Sequence, residues 1–147
     1  MLPLRRAVTL AGAAIVVLAV TACGTVHPTL EDLRAVPGAT ARFPGSTRIQ
    51  SFDQDSSSNL FAKNQAILKS DWCADGTNEQ HRRWYADHLA ASGWSERGSG
   101  VGSSDPDVSL LQEWDRGDRT FSLYALSSAY VERAGGSCAH GYETTVT

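Results

Sequence analysis

Two histidines are the first candidates for metal or acid–base chemistry in this chain of 147 residues. His81 and His88 lie seven positions apart on one face of a segment with helical periodicity. Seven residues rise about 10 Å along a helix, so the two imidazoles cannot hold one ion alone. A helical zinc site needs histidines four residues apart with a carboxylate, and that spacing is missing here. We therefore predict no metal site, and we expect His88 to pack under Trp84 and His81 to lie at the helix edge.

Two groups of acidic residues could bind a cation or transfer a proton. Residues 53–59 alternate oxygen-bearing side chains, as a calcium loop does, but an EF-hand has Gly at its sixth position and Glu at its twelfth. The corresponding residues are Ser58 and Asn64, so we interpret this segment as a solvated loop. Asp105 and Asp107 flank a proline, and such neighbouring aspartates are typical of a turn.

The remaining motifs do not indicate a catalytic centre. The segment from Gly98 to Gly102 is rich in glycine, but a nucleotide fingerprint must open a helix, and Pro106 would break one. Arg116-Gly117-Asp118 spells an adhesion tripeptide and is better explained as the turn of a hairpin. The chain has no Gly-x-Ser-x-Gly nucleophile elbow. We therefore expect no cofactor, and a non-enzyme more than an enzyme.

The N-terminus has the layout of a secretory signal. Arg5 and Arg6 precede an apolar run of 16 residues from Ala7 to Ala22, which is shorter than the about 20 residues that span a bilayer. The run ends in Val20-Thr21-Ala22-Cys23, which resembles the lipobox of bacterial lipoproteins. This resemblance implies that residues 1–22 are removed and that Cys23 carries a diacylglyceryl anchor. A membrane-spanning helix and a plain cleavable signal remain alternatives.

Charge and composition restrict the partners of the mature chain. Without Arg5 and Arg6 the chain has 11 basic and 16 acidic residues, a net charge of −5. A nucleic-acid partner is therefore not expected, because phosphate binding needs a basic surface. The lipid on Cys23 is then the expected link to the membrane. With only two Lys against 11 Arg and much Ala and Gly, the chain resembles small secreted lipoproteins of actinobacteria, a resemblance that implies no activity.

If Cys23 carries lipid, Cys73 and Cys138 remain as an even pair. In an oxidising compartment such a pair is expected to form a disulfide. The chain-entropy model gives a bridge over so long a loop about 4 kcal/mol of stabilisation. A redox or metal pair is the alternative, although the chain has no Cys-x-x-Cys spacing.

The elements that must position these residues can be placed along the chain. Thr29 caps a short helix with Leu30, Leu33 and Val36 on one edge, and Pro37-Gly38 ends it. The main helix covers residues 78–92 between the capping box Thr77–Gln80 and Gly93, and we expect its Trp84 and Leu89, with the following Trp94, to be core. Strands are predicted at 47–53, 65–72, a short segment from 94, 109–115, 119–127 and 142–146; a helix is an alternative for residues 60–69.

These elements predict an α+β fold after a signal peptide, with one main helix packed on a mostly antiparallel sheet in the order β-β-α-β-β-β-β. The predicted division is a lipoprotein signal peptide at 1–22, a lipidated tether at 23–29 and a single domain at 30–147. The four Trp and four Tyr favour core packing over a ligand cleft.

The expected function is that of a membrane-anchored lipoprotein on the extracytoplasmic face of the cell membrane. We expect a non-catalytic domain that binds an envelope protein or a small ligand. An envelope hydrolase acting on cell wall or lipid, and a structural accessory subunit of a membrane complex, are the alternatives. The sequence alone does not identify the ligand.

Overall fold

A computed structural model describes residues 27–58, 63–98 and 102–147. The signal peptide, the lipobox with Cys23, most of the predicted tether, residues 59–62 and the middle of the Gly98–Gly102 segment lie outside the described residues. Among the described residues, no helix is long and apolar enough to cross a membrane.

The described chain forms an α+β fold built on a six-stranded antiparallel sheet. The three helices are α1 (Leu30–Ala35), α2 (Asn78–Ala91) and α3 (Ser128–Arg133). The strands are β1 (Thr47–Gln54), β2 (Ser57–Ser58), β3 (Lys63–Asn64), β4 (Ile67–Ala74), β5 (Ser95–Arg97), β6 (Val108–Arg116), β7 (Arg119–Leu126) and β8 (His140–Val146). The order across the main sheet is β1-β4-β8-β7-β6-β5, and β2 and β3 form a separate small hairpin.

The antiparallel sheet and the main helix agree with the predicted fold class, and the structure adds two features. The hairpin β2–β3 follows β1 where a polar loop was predicted. Residues 67–69 lie in β4, so the alternative helix at 60–69 does not form there. Helix α3 follows the predicted strand 119–127 at residues to which the sequence assigned no element. It begins because the Ser127 side chain accepts a hydrogen bond from the Tyr130 backbone N–H, which caps the first turn.

Helix α2 forms because both of its ends are satisfied locally. The Thr77 hydroxyl accepts from the Gln80 backbone N–H, and the Gln80 side chain accepts from the Thr77 backbone N–H. Gly93 adopts a φ of 83° and ends the helix. The next residue, Trp94, donates its indole N–H to the Pro37 carbonyl at 2.6 Å, which ties the end of α2 to the segment after α1.

One side of the sheet, here called the covered face, packs against α1 and α2 and holds the main core. Leu89 of α2 and Leu33 of α1 are fully buried, and Trp94 is 3% exposed. The sheet side of this core consists mainly of large aromatic and aliphatic side chains, namely Trp72, Trp114, Phe121, Leu123, Tyr142 and Val146. The prediction of core positions is confirmed for Leu89 and Trp94, whereas Trp84 is only half-buried and packs against this core without being enclosed by it.

The other side of the sheet, here called the open face, is covered at one end only. There Val131 of α3 packs in a small cluster with Val108 and Leu126. Gly141 of β8 permits this contact, because a Cβ at that position would lie 2.4 Å from a Val131 methyl carbon. Helix α3 therefore lies directly on β8 and leaves the rest of the open face without a helix among the described residues.

Candidate ligand-binding cleft

The predicted disulfide is confirmed. Cys73 of β4 and Cys138, in the loop after α3, are joined with a Cα–Cα distance of 5.5 Å. The bridge fixes the loop after α3 to the second strand of the sheet. It therefore helps to hold α3 at its place on the open face.

The two histidines are not brought together as ligands. His81, predicted at the helix edge, is instead fully buried, and its Nε2 lies 3.1 Å from the Asp75 carbonyl oxygen. His88 is exposed and stacks on Trp84 with a centroid distance of 4.7 Å, as the sequence suggested. No group of three or more potential metal ligands occurs among the described residues.

The acidic residues of the segment 53–59 contact the helix α1 and its neighbourhood. Asp53 lies in β1 and not in a loop, and it pairs with Arg34 at 2.6 Å. The Asp55 carboxylate accepts a hydrogen bond from the Leu30 backbone N–H at the start of α1. These contacts give the oxygens of this segment a structural role, which the interpretation as a solvated loop did not include.

Asp105, Asp107 and the tripeptide 116–118 behave as turn residues. The Asp105 side chain accepts from the Asp107 backbone N–H at 2.9 Å. Asp107 in turn accepts from Ser127 and Arg133, and these contacts lower the pKa of its carboxyl group. Gly117, with a φ of 62°, forms the tight turn between β6 and β7. None of these residues lines the cleft described below.

A cleft of about 610 Å³ occupies the uncovered part of the open face. It crosses the strands β1, β4, β8 and β7, and α3 closes one end. Alternation along the strands brings most of the lining residues to the same side of the sheet, as with Lys69 and Asp71 of β4 and Glu143 and Thr145 of β8. The lining residues used below are Gln50, Phe52, Lys69, Asp71, Tyr124, Tyr130, Glu143 and Thr145.

Two carboxylates stand side by side in this cleft. The antiparallel register places Asp71 of β4 directly opposite Glu143 of β8. Asp71 is 1% exposed and Glu143 is 4% exposed, although charged side chains are rarely buried to this extent without a partner. Like charges directly opposite each other destabilise a sheet, so this pair must be compensated by its surroundings.

Glu143 has a cation as its partner. The Lys69 ammonium nitrogen lies 2.7 Å from Glu143 Oε2. The Thr145 hydroxyl donates to Glu143 Oε1 at 3.0 Å. Glu143 Oε1 therefore accepts a hydrogen bond, whereas Oε2 lies against the ammonium of Lys69 as an ion pair without hydrogen-bond geometry.

Asp71 has two neutral donors and one free oxygen. The Gln50 amide donates to Asp71 Oδ2 at 2.6 Å, and the Tyr130 hydroxyl donates to the same oxygen at 2.7 Å. Burial, and then the bond to Asp71, raise the pKa of Tyr130 to about 12, so its hydroxyl keeps the proton it donates. Asp71 Oδ1 is buried and has no hydrogen-bond partner among the described residues. No Lys, Arg or His of the described chain forms an ion pair with Asp71.

Aromatic side chains contribute to the walls of the cleft. Tyr124 and Tyr130 are half-buried there, and Phe52 of β1 is 55% exposed. Phe52 is the one exposed large apolar side chain in the described ranges. The expectation that the Trp and Tyr side chains pack in the core is therefore correct for five of the eight, namely Trp72, Trp94, Trp114, Tyr85 and Tyr142. Trp84, Tyr124 and Tyr130 are half-buried, and the two tyrosines line the cleft.

The sequence analysis did not identify the Asp71–Glu143 pair. A signal was available, because Lys69 and Asp71 are two positions apart in a predicted strand and must share a face, opposite to that of Trp72. Glu143 likewise lies in the predicted last strand. Only the pairing of β4 with β8 brings the two carboxylates together.

Comparison of the chain with protein-family models, with curated proteins and with solved structures finds no match. No activity or binding partner can therefore be taken from a relative. The geometry of the open face and the N-terminal motif are the features that bear on function.

Proposed function

We propose that this protein is a membrane-anchored extracytoplasmic lipoprotein whose domain binds a small ligand in the cleft on the open face. One observation carries the binding role: a cleft of about 610 Å³ contains two carboxylates that are each more than nine-tenths buried. Ligand sites are typically clefts of this size with apolar walls and a few precisely placed polar groups. Burial of two carboxylates in a cleft lowers the stability of the fold, and a binding role explains why the protein retains them.

The N-terminal motif supports the proposed location. Six residues lie between Cys23 and Leu30, the first residue of α1, and the seven residue steps span at most about 25 Å. A lipid on Cys23 would therefore hold the domain close to the bilayer surface. The Cys73–Cys138 disulfide is compatible with an oxidising compartment outside the cytoplasm.

The anchor is tested by fractionation of cells that express the wild type or Cys23→Ala. We expect the wild type in the membrane fraction with an added lipid mass. The variant should be soluble or remain an uncleaved precursor. Identical partitioning of both proteins, with no lipid on either, would contradict the proposed anchor.

An envelope hydrolase is the second candidate function, and the carboxylate pair is the observation that favours it. Paired carboxylates perform acid–base and nucleophilic chemistry in glycoside hydrolysis. In this cleft, however, Asp71 Oδ2 and both oxygens of Glu143 are already engaged by neighbouring side chains. A catalytic acid or base must come within hydrogen-bond reach of the substrate, so this arrangement supports binding more than turnover.

Incubation of the purified protein with an extract of cell-wall fragments and lipids separates these two functions. A binding protein returns its ligand chemically unchanged, whereas a hydrolase releases products of lower mass. We expect mass spectrometry to detect bound, unmodified molecules with the wild type. Product release by the wild type but not by Asp71→Asn or Glu143→Gln would contradict the binding function and establish the hydrolase.

A further inference from the structure

We infer that the ligand of this cleft carries an organic cation, an ammonium or guanidinium group on an apolar stem. The inference rests on the proposed binding function of the cleft and adds the chemical class of the ligand. Its starting point is the difference between the two buried carboxylates.

The charges in the cleft do not balance within the described residues. Asp71 and Glu143 supply two carboxylates, and Lys69 is the one cationic residue among the lining residues. Lys69 lies against Glu143, at 2.7 Å. Asp71 is left with the two neutral donors Gln50 and Tyr130. A buried carboxylate without a cation is costly, so a cationic ligand would supply the partner that Asp71 lacks.

Asp71 also retains an unused acceptor. Both neutral donors approach Oδ2, while Oδ1 has no hydrogen-bond partner in the described chain. An ammonium has three N–H donors and a guanidinium has five, so either group can donate to Oδ1 and keep further donors for neighbouring oxygens. An anionic or purely apolar ligand would leave this acceptor unsatisfied.

The walls of the cleft suit the rest of such a ligand. Tyr124, Tyr130 and Phe52 place aromatic rings around the charged floor. Aromatic faces attract cations and also pack against the methylene groups of an alkyl stem. The ligand is therefore an amphipathic cation, such as a free alkylamine or the lysine or arginine side chain of a peptide.

The four tyrosines of the chain allow a direct test on the full-length protein in detergent. Tyr124 and Tyr130 line the cleft, whereas Tyr85 and Tyr142 are fully buried in the core of the covered face. Incorporation of 3-fluorotyrosine gives one fluorine signal for each residue. The two cleft signals report on binding, and the two core signals report on the integrity of the fold.

The probes are n-butylamine and Nα-acetyl-lysine methylamide, each compared with a neutral analogue, n-butanol or Nα-acetyl-norleucine methylamide. Butyrate serves as the anionic analogue. We expect the two amines to shift the Tyr124 and Tyr130 signals in a saturable way at millimolar concentration, and the neutral and anionic analogues to shift neither. A response to butylamine indicates a free amine as the ligand, and a response to the lysine derivative alone indicates a peptide side chain.

Asp71→Asn should weaken amine binding at least about tenfold, because it removes the charge that the amine meets. Asp118→Asn, an exposed turn residue outside the cleft, is the matched control and should bind as the wild type does. Unshifted Tyr85 and Tyr142 signals show that each variant is folded.

Equal response to butylamine and butanol, or a response to butyrate alone, would overturn the cationic class while leaving the cleft as a binding site. Equal amine affinity of Asp71→Asn and the wild type would also overturn it. If no probe shifts Tyr124 or Tyr130, and an extract of the cell envelope shifts neither, the proposed binding function fails as well.

Discussion

The two faces of the sheet differ in how completely their buried polar groups are hydrogen-bonded. On the covered face, the Tyr85 hydroxyl donates to the Ala41 carbonyl, and the Trp94 and Trp72 indoles donate to Pro37 and Thr144. The exception on this face is His81, whose buried Nδ1 has no hydrogen-bond partner among the described residues. On the open face, Asp71 keeps a free buried oxygen and no cation. Closed networks specify a stable core, whereas an incomplete one at a cleft leaves room for a ligand. We therefore assign stability to the covered face and propose that the open face binds the ligand.

The largest expected difference between the faces concerns apolar truncation. Leu89→Ala on the covered face removes a fully buried side chain and should lower the free energy of unfolding by about 2–5 kcal/mol. Phe52→Ala on the open face removes a side chain that is 55% exposed and should have a much smaller effect. Denaturant unfolding of both variants measures the contrast. Equal losses of stability would contradict the division into a core face and a binding face.

The second prediction concerns the disulfide that helps to hold α3 on the open face. The double substitution Cys73→Ser and Cys138→Ser opens a loop of 65 residues and should cost about 4 kcal/mol by the chain-entropy model. Denaturant unfolding of the double variant measures this cost. Intact mass spectrometry of the wild type should show the bridge as a mass lower by two hydrogen atoms than that of the reduced protein. Free thiols at both positions in non-reduced protein would contradict the disulfide.

A smaller effect on stability is expected from His81, a polar side chain that is buried on the covered face. Burial lowers the pKa of this imidazole below its ordinary value of 6.5. Well above pH 6.5 the imidazole is neutral in both the folded and the unfolded state, so it adds no pH dependence to the free energy of unfolding there. As the pH falls below 6.5, the unfolded chain binds a proton that the folded chain does not, and the free energy of unfolding falls by at most about 1.4 kcal/mol for each pH unit.

His81→Gln removes this titration and retains a side chain able to reach the Asp75 carbonyl. We expect denaturant unfolding of the wild type between pH 7.5 and 5 to show a steeper loss of stability than that of His81→Gln. Parallel profiles for the two proteins would show that His81 does not set this dependence. Carboxylates common to both proteins cancel in the comparison.

The sequence predicted the elements whose signals are local. The capping box at Thr77 and the glycine at 93 define α2 within one residue, and the turn at Gly117 defines the hairpin β6–β7. The cysteine count predicted the disulfide. Each of these signals lies within a few residues or depends on composition alone, so no knowledge of the fold was needed.

The open face was not predictable in the same way. Helix α3 has six residues, and its cap Ser127 was read as the end of a strand. The cleft depends on the pairing of β4 with β8, which places Asp71 opposite Glu143. That register is a long-range property of the folded sheet, and the residue types in either strand do not specify it.

The central claim is that the role of Asp71 is to bind a ligand and not to stabilise the fold. The adjacent residue in the same strand supplies the most direct control. Ser70 and Asp71 are adjacent in β4, both are buried, and they point to the covered and the open face, respectively. The measurement is the amount of small molecule that each full-length protein retains from an envelope extract, identified by mass spectrometry. We predict retention by the wild type and by Ser70→Ala, and loss from a folded Asp71→Asn. Equal retention by all three proteins would contradict the account.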